Sequence, residues 1–131
     1  IKELIKTLEK NHQFLLSEHT KVNRPWGWFE IIEEGDNFKV KRIQIDPGKS
    51  ISLQRHKKRS EHWVVIKGEA KIIKDQDNFN LTENQSTFIK KNEIHQITNN
   101  SNEILQIIEV QSGSYLGEDD IERLKDDYHR N

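Results

Sequence analysis

Nine short apolar runs lie between residues 28 and 110, and turn-forming sequences such as EEGDN, DPGK and NNSN separate most of them. Runs of this length bounded by turns are typical of β-strands, and many of them in succession predict a sandwich or barrel. Only 32% of the residues are hydrophobic, which an antiparallel barrel with a solvated outer face tolerates. The runs are WFEII, FKVKRIQI, ISLQRH, EHWVVI, EAKIIK, FNLT, STFIK, HQITN and EILQIIEV.

The two ends of the chain have a different pattern. Aliphatic residues in segment 1–16 recur at largely helical spacing, which predicts a helix that links to an upstream domain, packs on the barrel or forms a dimer contact. In SYLGEDDIERLKDDYHRN, acidic residues 118–120 precede Ile121, Leu124 and Tyr128, which predicts a short C-terminal helix. We therefore divide the chain into a linker helix over 1–23 and a β domain with a terminal helix over 24–131.

Composition excludes several classes of partner and site. The net charge of −1 gives no overall attraction to nucleic acid or membrane, and the absence of cysteine excludes disulfides and thiolate metal sites. The sequence has no apolar run of membrane-spanning length and no signal peptide, which favours a cytoplasmic location. Because the sequence begins with Ile and contains no Met, we expect it to be part of a longer protein.

Four residues have the spacing of a metal site. Gln54 and His56 are two apart and project from the same face of a strand, and Glu61 follows a basic loop at the start of the next strand. A hairpin joining these strands would bring the three side chains together, with His95 as a fourth ligand. Two imidazoles, a carboxylate and an amide oxygen suit Zn²⁺ or a similar divalent ion.

The same segments resemble the two motifs of the cupin superfamily. Residues Gly48 to Gly68 match the spacing of the first motif, G-x5-H-x-H-x4-E-x6-G, except that Gln54 stands in place of the first His. The second motif, G-x5-P-x-G-x2-H-x3-N, is matched at His95 and Asn99, whereas its Gly, Pro and Gly positions hold Asn84, Lys90 and Asn92. Asn tolerates the left-handed backbone region, so we expect the turn before His95 to survive.

A narrower resemblance covers residues 24 to about 128. RPWGWFEII, FKVKRIQIDPG, ISLQRHKKRSEHWVVIKGEA, LTENQSTFI and IIEVQSGSYLGEDDIERL are similar to blocks of the type II mannose-6-phosphate isomerase domain. That domain commonly forms the C-terminal part of bifunctional proteins with mannose-1-phosphate guanylyltransferase activity. The resemblance implies an all-β cupin (jelly-roll) barrel, metal-dependent interconversion of mannose 6-phosphate and fructose 6-phosphate, a role in GDP-mannose synthesis, and an upstream nucleotidyltransferase domain.

A hexose phosphate requires positive charge near the metal. Arg59 and Lys41 are the candidates for catalysis, and strand parity favours Lys41 over its neighbour Arg42 for the interior. Ser52 shares the parity of Gln54 and could contact the sugar or phosphate. The remaining candidates for substrate binding are Arg42 and Arg130, the latter near the place where the family often has a Tyr-Gly-Arg string.

Two other functions fit the same residues. Two His and one carboxylate also describe non-haem iron oxygenases, although Gln54 and the basic residues fit a phosphosugar better. The chain could also be a non-catalytic module that binds a sugar phosphate or dimerises for an upstream nucleotidyltransferase. Strand alternation turns His62 away from the metal, and we interpret Trp63 as a core residue.

Overall fold

The computed structural model describes residues 21–125, which form eleven β-strands. This range contains no helix, and therefore no helix that could span a membrane. The nine predicted runs are confirmed as β2 to β10, and the structure adds a strand at each end. The strands are Val22–Arg24 (β1), Gly27–Glu34 (β2), Phe38–Ile45 (β3), Leu53–Arg55 (β4), Arg59–Lys67 (β5), Ala70–Lys74 (β6), Asp77–Leu81 (β7), Ser86–Ile89 (β8), His95–Thr98 (β9), Leu105–Gly113 (β10) and Glu122–Lys125 (β11).

The strands form two antiparallel sheets with the core between them. The first sheet has the order β1-β2-β3-β10-β5-β8, and the second has the order β11-β4-β9-β6-β7. Core residues come from both sheets, for example Ile43 and Val65 from the first and Ile72 and Ile97 from the second. The all-β prediction is therefore confirmed, and two sheets that share one core match the predicted jelly-roll architecture.

The central strands are apolar inside at one end and polar inside at the other. In β10, Leu105 and Ile107 are buried in the core, whereas Glu109 and Gln111 continue the same inward face with polar side chains. The partner strand β5 follows the same pattern: Trp63 and Val65 are buried in the core and Glu61 comes earlier in the strand. A polar inner face at one end of a barrel is where ligands are bound.

The predicted hairpin between β4 and β5 is wrong. The strand β4 pairs with β9 and β11, whereas β5 pairs with β8 and β10 in the other sheet. The basic loop between them therefore crosses from one sheet to the other. The ligand candidates of the two strands still converge, because each projects from its own sheet into the space between the sheets.

The predicted C-terminal helix is wrong where the structure describes it. Residues Glu122–Lys125 form β11, which pairs with β4, and the Glu122 carboxylate accepts two hydrogen bonds from Arg55 at 2.9 and 3.1 Å. Pairing with an exposed sheet edge outweighs the weak helical spacing of these residues. The proposed helix of residues 1–16 and the last residues of the tail lie outside the described range, and the domain boundary at residue 24 stays a prediction.

The expectation that Asn replaces Gly at the turns is confirmed. Asn84 and Asn92 have φ angles of 71° and 66°, in the left-handed region, as do Gly48 at 74° and Gly68 at 90°. The Asn92 amide donates a 2.7 Å hydrogen bond to the carbonyl of His56. The turn before His95 is thereby attached directly to another ligand candidate.

Asn99 organises the loop after β9 rather than the site. Its side chain is fully buried, and its amide nitrogen donates to the carbonyls of Ile45 and Glu103 at 3.0 and 2.7 Å. Its amide oxygen accepts from the backbone and hydroxyl of Ser101 at 3.0 and 2.8 Å. One side chain therefore satisfies buried polar groups from two segments.

Replacing Asn99 by Ala is expected to lower the free energy of unfolding by about 2–4 kcal/mol, because buried backbone groups lose their partners. Urea unfolding would measure the difference, and Asn100→Ala is the matched control, since Asn100 is exposed. A loss equal to that of the control would show that Asn99 does not hold this loop.

Candidate metal centre

Three buried side chains, from β5, from β9 and from the loop after β4, meet at the polar end of the barrel. The ligating atoms of His56, Glu61 and His95 all lie within 4.8 Å of one another. Glu61 Oε2 is 3.7 Å from His56 Nε2, and Glu61 Oε1 is 3.3 Å from His95 Nε2. All three residues are at most 2% exposed. Three of the four predicted ligands are therefore together, within reach of a single cation.

Backbone carbonyls fix the orientation of both imidazoles. His56 Nδ1 lies 2.6 Å from the carbonyl oxygen of Asp120, and His95 Nδ1 lies 2.8 Å from that of Glu93. A carbonyl only accepts, so each Nδ1 carries the hydrogen and each Nε2 faces the cluster with its lone pair. This backbone support is typical of histidines that bind metals.

Gln54 lies beside the cluster with its amide nitrogen toward His56. The Gln54 Nε2 to His56 Nε2 distance is 3.4 Å, and Gln54 Oε1 accepts a 2.9 Å hydrogen bond from the Ser52 hydroxyl. A 180° rotation of the amide would present the oxygen to the cluster, and Ser52 could then accept from the nitrogen. The predicted positions of Gln54 and Ser52 thus fit a fourth ligand and its support.

Arg59 is part of this cluster rather than a neighbour of it. Its Nη2 atom lies 3.0 Å from Glu61 Oε2 and 3.1 Å from His56 Nε2, and its Nε donates to Glu61 Oε2 at 3.1 Å. The residue is 5% exposed, and its Nη1 has no hydrogen-bond partner among the described residues. A buried guanidinium with a spare donor is suited to an anionic ligand.

The charges in the cluster balance one another. Burial opposes ionisation of Glu61, but His95 and Arg59 together lower the pKa of its carboxyl below the usual value. Burial lowers the pKa of His56 to about 4, so this imidazole is neutral near pH 7. Burial also acts to lower the pKa of His95, but the contact with Glu61 raises it instead.

The donor set fits a divalent metal. Glu61 Oε1 and His95 Nε2 lie 3.3 Å apart, and both are buried without a hydrogen-bond partner in the described part of the chain. Buried polar atoms left unpaired are costly unless a ligand satisfies them. Two imidazoles and a carboxylate are the ligands of many zinc sites, and an added amide oxygen is compatible with other divalent ions.

A pocket adjoins the cluster and has a strongly cationic wall. Lys41 is 4% exposed and pairs with Glu118 across a 2.6 Å contact, whereas Arg42 lies on the outer face, 2.7 Å from Glu30. The parity prediction for Lys41 is confirmed, and the structure does not bring Arg42 to the site. The pocket is lined by Arg24, Trp26, Phe29, Lys41, Ile43, Ile51, Gln54, Arg59, Ile97, Glu109, Gln111, Glu118, Ile121 and Arg123.

Several polar residues of the pocket escaped the sequence prediction, among them Arg24 and Glu118. Glu109 and Gln111 line the pocket from β10. The sequence does contain a signal for them, because they are polar residues at the inward positions of a strand whose other inward residues are apolar. Arg123 lines the pocket from β11, which was predicted as helix, so its direction could not be inferred. Arg130 lies outside the described residues. His62 is exposed and packs on Phe88, away from the cluster.

Comparisons with known proteins agree with this arrangement. The family described as "Mannose-6-phosphate isomerase C-terminal" matches residues 10–126. The alginate biosynthesis protein AlgA of Pseudomonas putida is 48% identical over 99% of this chain and 27% of its own length. A mannose-1-phosphate guanylyltransferase of Salmonella muenchen is 44% identical over 95% of the chain and 26% of its own length. The chain thus spans about a quarter of these relatives.

A solved structure supports the fold. A protein from Klebsiella pneumoniae with a double-stranded β-helix domain has a TM-score of 0.68 and 18% identity, covering 82% of this chain and 92% of that one. At this identity the likeness concerns the fold alone. It confirms the predicted cupin architecture, since the double-stranded β-helix is the barrel of that superfamily.

Proposed function

The chain belongs to the mannose-6-phosphate isomerase C-terminal family. We propose that it interconverts mannose 6-phosphate and fructose 6-phosphate with a bound divalent metal. The observation that carries the proposal is the buried cluster of His56, Glu61 and His95 beside a cationic pocket. The family supplies the reaction, and the cluster supplies a place where it can occur.

The isomerisation moves a carbonyl group between C1 and C2 of the open-chain sugar. The side chains that would hold the metal are His56, Glu61, His95 and, after rotation of its amide, Gln54. A divalent cation, with Zn²⁺ our first choice, would act as a Lewis acid toward the two oxygens on which negative charge develops. Arg59 is placed to add a second positive charge at the same point, through the Nη1 donor that has no hydrogen-bond partner among residues 21–125.

The phosphate of the substrate also has complementary charge in the pocket. Four basic residues line it, two of them buried beside the cluster and two nearer the ends of the β domain. Lys41 and Arg59 form the buried pair, whereas Arg24 and Arg123 are half-buried. We propose that the phosphate binds toward Arg24 and Arg123, because these two side chains are half-buried and accessible to a ligand, whereas Lys41 and Arg59 are almost fully buried.

We further propose that this domain works together with an upstream nucleotidyltransferase in cytoplasmic GDP-mannose synthesis. The support is the family membership and the length of relatives such as the mannose-1-phosphate guanylyltransferase, of which the chain spans 26%. A homodimer remains part of this hypothesis. The alternative is that the domain binds a sugar phosphate, or dimerises, without catalysis.

The test is an assay of fructose 6-phosphate formation from mannose 6-phosphate, coupled to a second enzyme, with Zn²⁺, Co²⁺, Mn²⁺ and Mg²⁺ supplied in turn. The full natural chain should be used, so that any upstream domain is present. Turnover that depends on one of these ions supports the isomerase. Binding of mannose 6-phosphate without turnover under all four ions would favour the non-catalytic alternative.

Metal removal is expected to lower the thermal stability of the protein, because a cation bound only by the native cluster stabilises the native state. Removing it also leaves Glu61 Oε1 and His95 Nε2 buried, with no hydrogen-bond partner for either atom in the described range 21–125. At a free metal concentration about 100 times the Kd, the stabilisation is about 2.7 kcal/mol. Differential scanning calorimetry before and after EDTA treatment, with metal content verified, measures it. An unchanged melting temperature after verified metal loss would contradict tight binding.

A further inference from the structure

Glu109 is a buried carboxylate that the metal cluster does not use. It is 6% exposed and lies on the inner face of β10, directly opposite Lys41 on one side and Trp63 on the other. The next inward pair along the same strands is Gln111 and Glu61. Glu109 therefore lies one row from a ligand candidate, on the same wall of the pocket.

Neutral donors hold both carboxylate oxygens of Glu109 in place. Trp63 Nε1 donates to Oε2 at 3.2 Å, and Gln111 Nε2 donates to Oε1 at 2.6 Å. Among the described residues, no cation lies within ion-pair distance of this carboxylate. An acidic group held rigidly, but not neutralised by a salt bridge, keeps a lone pair on each oxygen for exchange of a proton.

The other acidic groups near the pocket are engaged with cations. Glu61 pairs with Arg59 at 3.0 Å, and Glu118 pairs with Lys41 at 2.6 Å. The same contacts occupy the two basic side chains that the sequence had suggested for catalysis. Glu109 is left as the pocket carboxylate that no cation holds.

We propose that Glu109 is the acid–base residue that moves the carbon-bound proton of the sugar during isomerisation, an inference that rests on the proposed function. Burial, followed by the nearby charge of Glu61, raises the pKa of Glu109 to about 7, while Lys41 and Arg59 act in the opposite direction. A general acid–base group is most effective when its pKa is close to the working pH. The raised pKa agrees with the position of Glu109 in the pocket and with its two neutral hydrogen-bond donors.

The proposed step balances without a co-reactant. The Glu109 carboxylate takes the proton from C2 of open-chain mannose 6-phosphate: the C2–H bond breaks, an O–H bond forms on Glu109, the C–H electron pair becomes the C1–C2 double bond, and the C1–O1 π pair moves onto O1. The O2 hydroxyl proton is transferred to O1, the electron pair left on O2 forms the C2–O2 carbonyl, and the C1–C2 π pair takes the proton back from Glu109 at C1. The product is fructose 6-phosphate, with the same atoms and electrons.

The decisive variant is Glu109→Gln. It keeps the shape of the side chain, and Gln111 Oε1, which is buried without a partner in the described chain, can accept from the new amide if the Gln111 amide rotates. We expect kcat to fall by about 10²- to 10⁴-fold, the usual contribution of acid–base catalysis. KM should change by less than about threefold, and metal content and melting temperature should stay near those of the wild type.

The control is Glu103→Gln, the same chemical change at an exposed residue before β10. Glu109→Asp, which shortens the side chain by one methylene but keeps the charge, decides the question if Glu109→Gln does not fold. A kcat within tenfold of the wild type in Glu109→Gln, or unchanged in Glu109→Asp, would overturn the acid–base role alone. A wild type that binds metal but does not isomerise would overturn the proposed function, and this inference with it.

Discussion

Replacing His95 by Ala is expected to abolish stoichiometric metal binding and to lower kcat/KM at least about a thousandfold, a loss of roughly 4 kcal/mol in transition-state stabilisation. The reason is geometric: His95 Nε2 faces Glu61 at 3.3 Å, fully buried, with its other nitrogen held by a backbone carbonyl. Among residues 21–125, the one histidine outside the cluster is His62, which packs on Phe88 and cannot replace it. Metal content per chain, measured by elemental analysis after dialysis, and steady-state kinetics check the prediction.

His62→Ala is the matched control for His95→Ala. It removes an imidazole from β5, but this one is exposed and packs on Phe88. We expect wild-type metal content and activity from the control. His56→Ala should behave like His95→Ala, because His56 supplies the opposite side of the cluster. Wild-type metal content in both ligand variants under matched conditions would show that the centre lies elsewhere.

The second large effect is expected from Arg59→Ala, which should lower kcat/KM about tenfold or more, or at least roughly 1.4 kcal/mol, without loss of the metal. The guanidinium lies 3.0 Å from Glu61 and 3.1 Å from His56, so it competes with a cation for their lone pairs. Its removal should therefore leave metal affinity equal or higher while substrate turnover falls. Metal titration and kinetics on the same samples separate the two effects.

Arg42→Ala is the control for Arg59→Ala, since the Arg42 guanidinium pairs with Glu30 on the outer face of the same sheet. The control should retain wild-type kcat/KM, which would also confirm that Arg42 does not bind the substrate. If Arg59→Ala loses the metal as well, Arg59 positions Glu61 and His56 instead of contacting the sugar. Full activity in Arg59→Ala would exclude both roles.

The strands and most of the metal ligands could be predicted because their signals are local. Alternation within β4 and β5 determines which side chains face inward, so Gln54, His56 and Glu61 were placed on one side without knowledge of the partner strands. The left-handed turn before His95 could be inferred because Asn tolerates that conformation. These features depend on a few neighbouring residues and not on the whole fold.

The errors concern choices that depend on tertiary pairing. Whether β4 and β5 form a hairpin is decided by which other strands offer edges, and the sequence between them carries no turn signal that settles it. The spacing of Ile121 and Leu124 is compatible with a helix, yet residues Glu122–Lys125 pair with the open edge of β4 as a strand. The place of Glu109 in the pocket was not predicted, because the apolar residues dominate this strand, although alternation along the strand indicates that Glu109 faces inward.

The hydrogen bond from His56 to Asp120 joins residues that are 64 positions apart in the chain. Asp120 also receives the amides of Lys57 and Lys58 through its carboxylate, so one residue near the end of the β domain fixes the loop that follows His56. During synthesis on the ribosome, His56 therefore emerges long before its acceptor does. Until Asp120 has been made, the His56 imidazole has no Asp120 carbonyl to orient it.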